Sequence, residues 1–273
     1  PLDVQSFINA QPLSRYQWRV VILCFLIVFL DGLDTAAMGF IAPALSQDWG
    51  IDRASLGPVM SAALIGMVFG ALGSGPLADR FGRKVVLVGA VLLFGAFSLA
   101  SAYATNVDQL LVLRFLTGLG LGAGMPNATT LLSEYTPERL KSLLVTSMFC
   151  GFNLGMAGGG FISAKLIPAY GWHSLLLIGG LLPLLLVVVL VVWLPESARF
   201  LVVRNRGIDK IRKTLAPIEP NTVAQASSFS VPEQKTVKSR NVLAVIFSGT
   251  YSVGTLLLWL TYFMGLVLSL IHI

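Results

Sequence analysis

Seven long runs of apolar residues constrain this chain more than any other feature of its sequence. A helix that spans a membrane needs about 20 mostly apolar residues, because each residue rises about 1.5 Å and the hydrocarbon layer is about 30 Å thick. Helix is the expected state of these runs, since an open strand would leave its backbone groups unpaired in lipid. The predicted spans are residues 19–43, 54–78, 85–104, 109–133, 141–165, 173–194 and 241–267.

The composition supports the same conclusion. The 273 residues are 55% hydrophobic and 12% charged, whereas soluble domains contain about 25% charged residues. So little charge cannot cover the surface of a water-soluble protein of this size, which excludes a soluble enzyme, a nucleic-acid binder and a disordered scaffold. The sequence therefore predicts an all-α integral membrane protein.

The basic residues predict which ends of the spans face the cytoplasm. If the N-terminus is cytoplasmic, 16 of the 19 Lys and Arg residues lie on the inner side. The outer connections then contain only Arg53 and Lys165, while Arg114 lies within a span. Cytoplasmic loops carry an excess of Lys and Arg, so this bias predicts a multi-pass protein with a cytoplasmic N-terminus.

One long connection divides the chain into four predicted parts. Residues 199–240 are polar, basic and rich in Pro, Ser and Thr, which is typical of a flexible linker, with a short helix expected around Ile208–Leu215. The chain begins at Pro1 without a methionine and ends at Ile273 after a lone seventh span, so we expect the first half of a twelve-span protein. The parts are a cytoplasmic segment at 1–18, a six-helix domain at 19–198, the linker at 199–240 and the seventh helix at 241–273.

The connection between the second and third spans holds the most specific motif, GPLADRFGRK at residues 75–84. Its glycines permit a tight reversal of the chain, and Asp79 is expected to accept hydrogen bonds at the start of the next helix. The simplest interpretation is a basic cytoplasmic turn that fixes the topology.

Charged residues also occur within two of the spans. Asp31 and Asp34 share one face of the first span, about 18 Å and 14 Å from its outer end if Pro43 marks that end. Charges at such depth are costly, so the pair is expected to face a cavity or to be neutralised. Arg114 in the fourth span lies at a depth comparable to that of Asp34, so the two could pair. A carboxylate that binds and releases a proton would serve proton-coupled transport, and the alternative is a purely structural pair.

Small and polar residues in the fourth and fifth spans have two possible roles. Gly118 and Gly122 follow Arg114 at intervals of four, and the fifth span holds a similar series that begins at Gly151. Close helix packing is the usual role of such glycines. Asn127 and Asn153 are candidate polar groups of a substrate cavity, with an interhelical hydrogen bond as the alternative for each.

The motif at residues 75–84 resembles the signature of the major facilitator superfamily. The Asp-Gly-Leu-Asp sequence at 31–34 resembles a narrower group, the aromatic acid:proton symporters, and the similarity extends through residues 30–43, 114–134 and 195–206. The resemblance implies the N-terminal six-helix half of a twelve-helix major facilitator fold plus the seventh helix. It further implies a gating motif formed by Gly75, Asp79, Arg80, Gly82, Arg83 and Lys84. The residues that it implies for proton coupling and transport are Asp31, Asp34, Arg114 and Glu134, although Glu134 could equally be a solvated acid at a helix end.

The resemblance implies proton-coupled uptake of an aromatic carboxylate, 4-hydroxybenzoate or protocatechuate, by alternating access across a bacterial inner membrane. Protons would load Asp31 and Asp34, and the substrate carboxylate would bind near a cation, for which Arg114 is the best candidate. The expected partners are the substrate, protons and the lipid bilayer, without nucleic acid, and the proton gradient would replace any cofactor.

Two other functions stay open. A proton symporter of a sugar or an aliphatic carboxylate would have the same fold, and a membrane sensor would bind an aromatic acid without accumulating it. An enzyme is not expected, because the chain lacks a clustered His/Asp or Ser/His set. A metal site is not expected either, since Cys24 and Cys150 are isolated from each other and from both histidines.

Overall fold

The computed structural model describes residues 2–226, 228–231 and 252–271. The chain forms two compact units, Pro1–Val231 and Pro232–Ile273. In the second unit, the described residues form the helix Ser252–Ile271, named α11 below. Residues 241–251, the first part of the seventh predicted span, lie outside the described residues.

Six helices in the described part of the first unit are long and apolar enough to cross a membrane. They are α2 (Arg15–Trp49), α3 (Gly57–Phe81), α4 (Arg83–Ser101), α5 (Val107–Tyr135), α6 (Glu138–Tyr170) and α7 (His173–Trp193). A short 3-10 turn, Arg53–Leu56, precedes α3. The first six predicted spans are therefore confirmed, and the protein is an all-α, multi-pass membrane protein.

The first long helix extends further at both ends than its apolar run predicts. It begins at a capping box in which the Ser14 hydroxyl and the Gln17 side chain accept from each other's backbone N–H groups. It continues through Pro43 and ends at Gly50, whose φ of 63° is the left-handed conformation that terminates many helices. Proline interrupts a spanning helix less than a soluble one, because neighbouring helices can satisfy the freed carbonyl group.

Close backbone contacts hold the bundle together. Helix α3 packs on α5, α2 packs on α6, and α4 packs on both α5 and α7. A Cβ atom at Gly118 or Gly122 of α5 would overlap the carbonyl oxygens of Ala63 and Met67 in α3. Gly155 of α6 approaches the α2 backbone in the same way. The packing role predicted for these glycines is therefore confirmed.

Two apolar clusters fill the bundle, one above the other. Along α2, one cluster includes Val20 to Leu30, and the other includes Ala37 to Leu45. Asp31 and Asp34 fall in the interval between these two sets of core residues. The two acids of α2 therefore lie between the two apolar clusters.

A small folded cap lies at the same end of the first unit as the start of α2. It contains strand β1 (Leu2–Asp3), helix α1 (Val4–Ala10), helices α8 (Ala198–Val203), α9 (Ile208–Leu215) and α10 (Pro220–Gln225), and strand β2 (Phe229–Ser230). The strands pair in parallel, and Phe7 and Ile8 of α1 pack with Leu201, Ile211 and Leu215. The short helix predicted at Ile208–Leu215 is confirmed. The flexible linker predicted from composition is wrong for residues 199–226, because spaced apolar residues in this polar segment bury a shared core.

Candidate functional site

Three of the long helices bring polar side chains together inside the bundle, and a fourth packs against them. Helix α2 supplies Asp31 and Asp34, α5 supplies Arg114, and α4 supplies Ser98 and Ser101. Helix α7 passes this cluster at Gly179, where a Cβ atom would lie 3.5 Å from both the Asp34 carboxylate and the Ser98 hydroxyl. Helix α7 therefore covers this side of the cluster at van der Waals distance.

The Arg114 guanidinium binds Asp34 in this cluster. Its Nη1 lies 3.2 Å from Oδ2 of Asp34, and the two side chains are only 1% and 2% exposed. The other two nitrogens donate to the Ser101 hydroxyl oxygen, at 3.2 Å from Nε and 2.8 Å from Nη2. The Ser98 hydroxyl donates to Oδ1 of Asp34. The ion pair expected from the depths of Asp34 and Arg114 is therefore confirmed.

Asp31 has different partners, although it lies less than one helical turn from Asp34. Its residue is 2% exposed, and the hydroxyl of Thr35 donates to its Oδ1 at 3.3 Å. Among residues whose positions are described, no Lys, Arg or His lies within salt-bridge distance of Asp31. One buried acid therefore has a cation and the other has a neutral hydroxyl.

The contacts of Arg114 restrict its expected role as the group that binds the substrate carboxylate. All three guanidinium nitrogens of Arg114 donate within the cluster, and the residue is 1% exposed. A substrate could reach it only after Asp34 or Ser101 had released it. Asp34 and Ser101 hold Arg114 in this way because a buried cation is stable only with its counter-charge and hydrogen bonds in place.

A second polar cluster surrounds the turn between α3 and α4. Gly82 makes this turn with a φ of 105°, a conformation that favours glycine. The Glu196 carboxylate, from the segment after α7, accepts the backbone N–H of Lys84 at 3.1 Å and that of Ser197 at 2.8 Å. Glu196 therefore caps the N-terminus of α4, which has no side-chain cap of its own.

The cap predicted at Asp79 is thus wrong. Asp79 lies within the last turns of α3, and its carboxylate pairs with Arg83 at 3.0 Å instead. Sequence reasoning missed Glu196, because a cap contributed by a distant segment has no local pattern. A signal was nevertheless present, since Glu196 lies in the stretch 195–206 that carries part of the family resemblance.

Further contacts tie the 75–84 motif to neighbouring segments. The Lys84 ammonium donates to the Val191 carbonyl at 2.7 Å. The Arg204 guanidinium donates twice to the backbone carbonyl of Asp79, at 3.0 Å and 2.7 Å. Arg80 is exposed, with its guanidinium carbon 5.2 Å from the centre of the Phe81 ring. Gly75 lies within α3, and a Cβ atom there would meet no other described atom within 4 Å outside its own helix backbone.

Glu134 belongs to this second cluster and not to the first. It lies 20 residues beyond Arg114 on α5, a distance of about 30 Å along a helix. Its carboxylate interacts with the Ser197 side chain through a hydrogen bond and with the charges of Arg83, Arg199 and Glu196. Its Oε2 is buried and has no hydrogen-bond partner within the described part of the chain.

The two asparagines differ in their exposure. Asn127 is 2% exposed, donates to the Ala123 carbonyl at 2.8 Å, and accepts from Arg83 at 3.4 Å. It therefore forms the hydrogen bond between helices that was expected as the alternative. Asn153 is exposed on α6 and stays a candidate for the substrate cavity. Among the described residues, no three His, Cys, Asp or Glu side chains lie close enough together to hold a metal ion.

Comparisons with known proteins give a consistent result. The sequence matches the Major Facilitator Superfamily over residues 24–271. It is 90% identical over 267 residues to the 4-hydroxybenzoate transporter PcaK of Pseudomonas putida, a match that covers 98% of this chain and 60% of that protein. It is 54% identical to the gallate transporter of the same organism, again over 98% of this chain and 59% of that protein. The chain thus spans about 60% of the length of these curated relatives, which are named as transporters and not as enzymes.

A solved structure with a similar fold is that of the xylose transporter XylE from E. coli in a partially occluded, inward-open conformation. The TM-score is 0.66 at 23% sequence identity, and the match covers 77% of this chain and 57% of that chain. At this identity the similarity concerns the fold alone, which agrees with the six-helix arrangement described above.

Proposed function

Because the chain belongs to the major facilitator superfamily, we propose that it forms the first part of a proton-coupled transporter that imports aromatic carboxylates. 4-Hydroxybenzoate is the expected substrate. Two relatives are named for 4-hydroxybenzoate and gallate, and both compounds are hydroxylated benzoates, which supports this substrate class. We place the transporter in a bacterial inner membrane with its N-terminus in the cytoplasm, as the distribution of Lys and Arg favours.

One observation carries the coupling mechanism: two buried acids share a helix, and among the described residues only one of them pairs with a cation. Protonation of Asp34 would leave Arg114 as an unpaired charge inside the bundle, which is costly. Protonation of Asp31 would leave no described cation unpaired, because its hydrogen-bond partner is the neutral Thr35 hydroxyl. We therefore assign the transported proton to Asp31 and a fixed counter-charge role to Asp34.

The transport cycle follows from this division of roles. In the outward-facing state a proton from outside binds Asp31, and the substrate binds on the surface that this chain presents to the remainder of the transporter. Asn153 is a candidate contact there, because it is exposed on α6. Closure of the outer side and opening of the inner side then release both species into the cytoplasm. The proton gradient supplies the free energy, and no cofactor is needed.

The second cluster is proposed to act as the inner gate. Glu196 and Arg204 connect the segment after α7 to the turn between α3 and α4. Glu134 and Arg83 lie beside this connection. Because these groups are charged and partly exposed, they can exchange partners when the cytoplasmic ends of the helices move.

An uptake assay tests the function. Cells that cannot metabolise the compound, and that carry the whole transporter, would be given labelled 4-hydroxybenzoate at two external pH values, with and without a protonophore. We expect uphill accumulation that increases at the lower pH and disappears with the protonophore. Accumulation that is the same with and without the protonophore would contradict proton coupling.

Competition and a matched variant make the assay specific. Unlabelled gallate and protocatechuate should compete, whereas a sugar or an aliphatic dicarboxylate should not. Binding without accumulation would favour the sensor alternative. Asp31→Asn should abolish accumulation, and Asp209→Asn, the same change at an exposed position of α9, should leave it unchanged.

A further inference from the structure

A cleft of about 510 Å³ opens between α2 and α7 near the start of α2 and the end of α7. Its charged end is formed by Arg15 and Arg19, and its wall continues through Ile22 and Leu26. These residues recur at intervals of three or four, so they lie along one face of α2. The cleft therefore changes from basic to apolar along the helix axis.

The length of this wall matches one leaflet of a bilayer. Arg15 and Leu26 are 11 residues apart, which corresponds to about 16 Å along a helix. The hydrocarbon layer of a bilayer is about 30 Å thick. A lipid whose phosphate lies at the arginines would thus place its acyl chain beside Ile22 and Leu26 and end near the membrane centre.

Two tryptophans flank the cleft on opposite helices. Trp18 of α2 is 47% exposed and Trp193 of α7 is 56% exposed. Tryptophan is enriched where the headgroups meet the hydrocarbon, because its ring is apolar and its N–H is polar. Both rings are therefore located where the glycerol region of a lipid would lie.

The charge of the cleft selects the kind of lipid. Arg15 and Arg19 are exposed, and within the described residues neither forms a salt bridge. Arg19 lies 5.9 Å from the centre of the Tyr16 ring, a contact that leaves its charge uncompensated. None of the residues that line the cleft is acidic. Guanidinium groups bind phosphate oxygens in a bidentate geometry.

We propose that this cleft binds one anionic phospholipid of the inner leaflet, with the phosphate between Arg15 and Arg19 and an acyl chain along Ile22 and Leu26. The proposal uses the cytoplasmic orientation of the N-terminus and no other part of the proposed function. The substrate and the coupling ion could therefore be assigned wrongly without affecting it.

Quenching of tryptophan fluorescence by brominated acyl chains tests the proposal. The whole transporter would be reconstituted in vesicles that contain a low, equal mole fraction of brominated phosphatidylglycerol or brominated phosphatidylcholine. The signal of Trp18 and Trp193 is the difference between wild type and Trp18→Phe/Trp193→Phe. We expect this signal to be quenched preferentially by phosphatidylglycerol, with a preference of roughly fivefold for each arginine.

Variants separate a specific site from general attraction to the membrane. Arg15→Gln/Arg19→Gln should remove the preference, Arg19→Gln alone should reduce it, and Arg15→Lys/Arg19→Lys should retain most of it. Lys210→Gln/Lys213→Gln removes the same charge from exposed positions of α9 outside the cleft and should have no effect. Equal quenching by both lipids in wild type would overturn the proposal. So would the absence of quenching at Trp18 and Trp193, because another part of the protein would then cover the cleft.

Discussion

The protein contains two aspartate–arginine pairs with almost the same geometry and very different surroundings. Asp34 and Arg114 lie 3.2 Å apart with side chains 2% and 1% exposed. Asp79 and Arg83 lie 3.0 Å apart, but their side chains are 68% and 20% exposed. The first pair lies in the interior of the bundle, and the second lies at the turn between α3 and α4.

The difference in burial supports the different roles that we propose for the two pairs. Inside the bundle, the loss of one partner leaves a charge that neither water nor another ion can stabilise, so the pair has to stay intact. At the turn, water and neighbouring charges can replace either partner at little cost. A fixed pair suits a counter-charge beside a proton carrier, and an exchangeable pair suits a gate that opens and closes.

The largest predicted effect comes from breaking the buried pair. Asp34→Asn should lower the free energy of unfolding by about 3–5 kcal/mol, because Arg114 then has no counter-charge. The thermal midpoint of the purified whole transporter in detergent would show the loss. The double variant Asp34→Asn/Arg114→Gln should recover much of it, since it leaves no unpaired charge. A single variant as stable as wild type would show that the pair is not buried as described.

A smaller loss of stability is expected at the turn between α3 and α4, in the second polar cluster. Gly82→Ala should cost about 1–2 kcal/mol for the positive φ, because Gly82 has a φ of 105°. The new Cβ atom would also collide with the Glu196 carboxylate and disturb the cap of α4. Gly75→Ala is the matched control, since Gly75 lies inside α3 with free space around it. The same thermal measurement should show no loss for that control, and equal losses in both variants would contradict the assignment.

Removal of the Glu196 cap of α4 should have a moderate effect on the stability of the protein. Glu196→Ala should cost about 1 kcal/mol, because the N–H of Lys84 loses its acceptor at the start of α4. Glu196→Gln keeps a side-chain oxygen and should lose less. If both substitutions destabilise the protein equally in a denaturation experiment, the carboxylate acts through its charge and not as a cap.

The smallest effect on stability is expected at the exposed pair. Asp79→Asn should change the free energy of unfolding by less than about 0.5 kcal/mol, because an exposed pair four residues apart on the chain contributes little. Its effect on transport should nevertheless be large if the cluster is the inner gate. Thermal stability and uptake measured on the same preparation would separate these two effects. A large fall in stability would contradict the comparison between the two pairs.

The sequence predicted the features that depend on local pattern and depth. Six spans followed from the length of the apolar runs, and the pairing of Asp34 with Arg114 followed from their matching positions in two helices. The contacts of Gly118 and Gly122 followed from their spacing of four residues.

The features that depend on distant segments could not be predicted. The Glu196 cap of α4 joins residues 112 positions apart, and no local sequence pattern indicates such a contact. In the sequence, Ser98 and Ser101 are two small polar residues of an apolar helix. Their contacts with Asp34 and Arg114 depend on how α4 packs against its neighbours. The small folded region that contains α1 and α9 could not be predicted, because its segments are polar in composition. Its few apolar residues are nevertheless enough to bury a small core.

The most direct test of the division between Asp31 and Asp34 is a comparison of two transport modes in proteoliposomes that contain the whole transporter. One mode is uptake driven by a pH gradient, and the other is exchange of labelled for unlabelled 4-hydroxybenzoate without a gradient. Asp31→Asn should lose gradient-driven uptake and retain exchange, because the substrate route stays intact while the proton carrier is absent. Gradient-driven accumulation by Asp31→Asn at the wild-type level would contradict the assignment of the proton to Asp31.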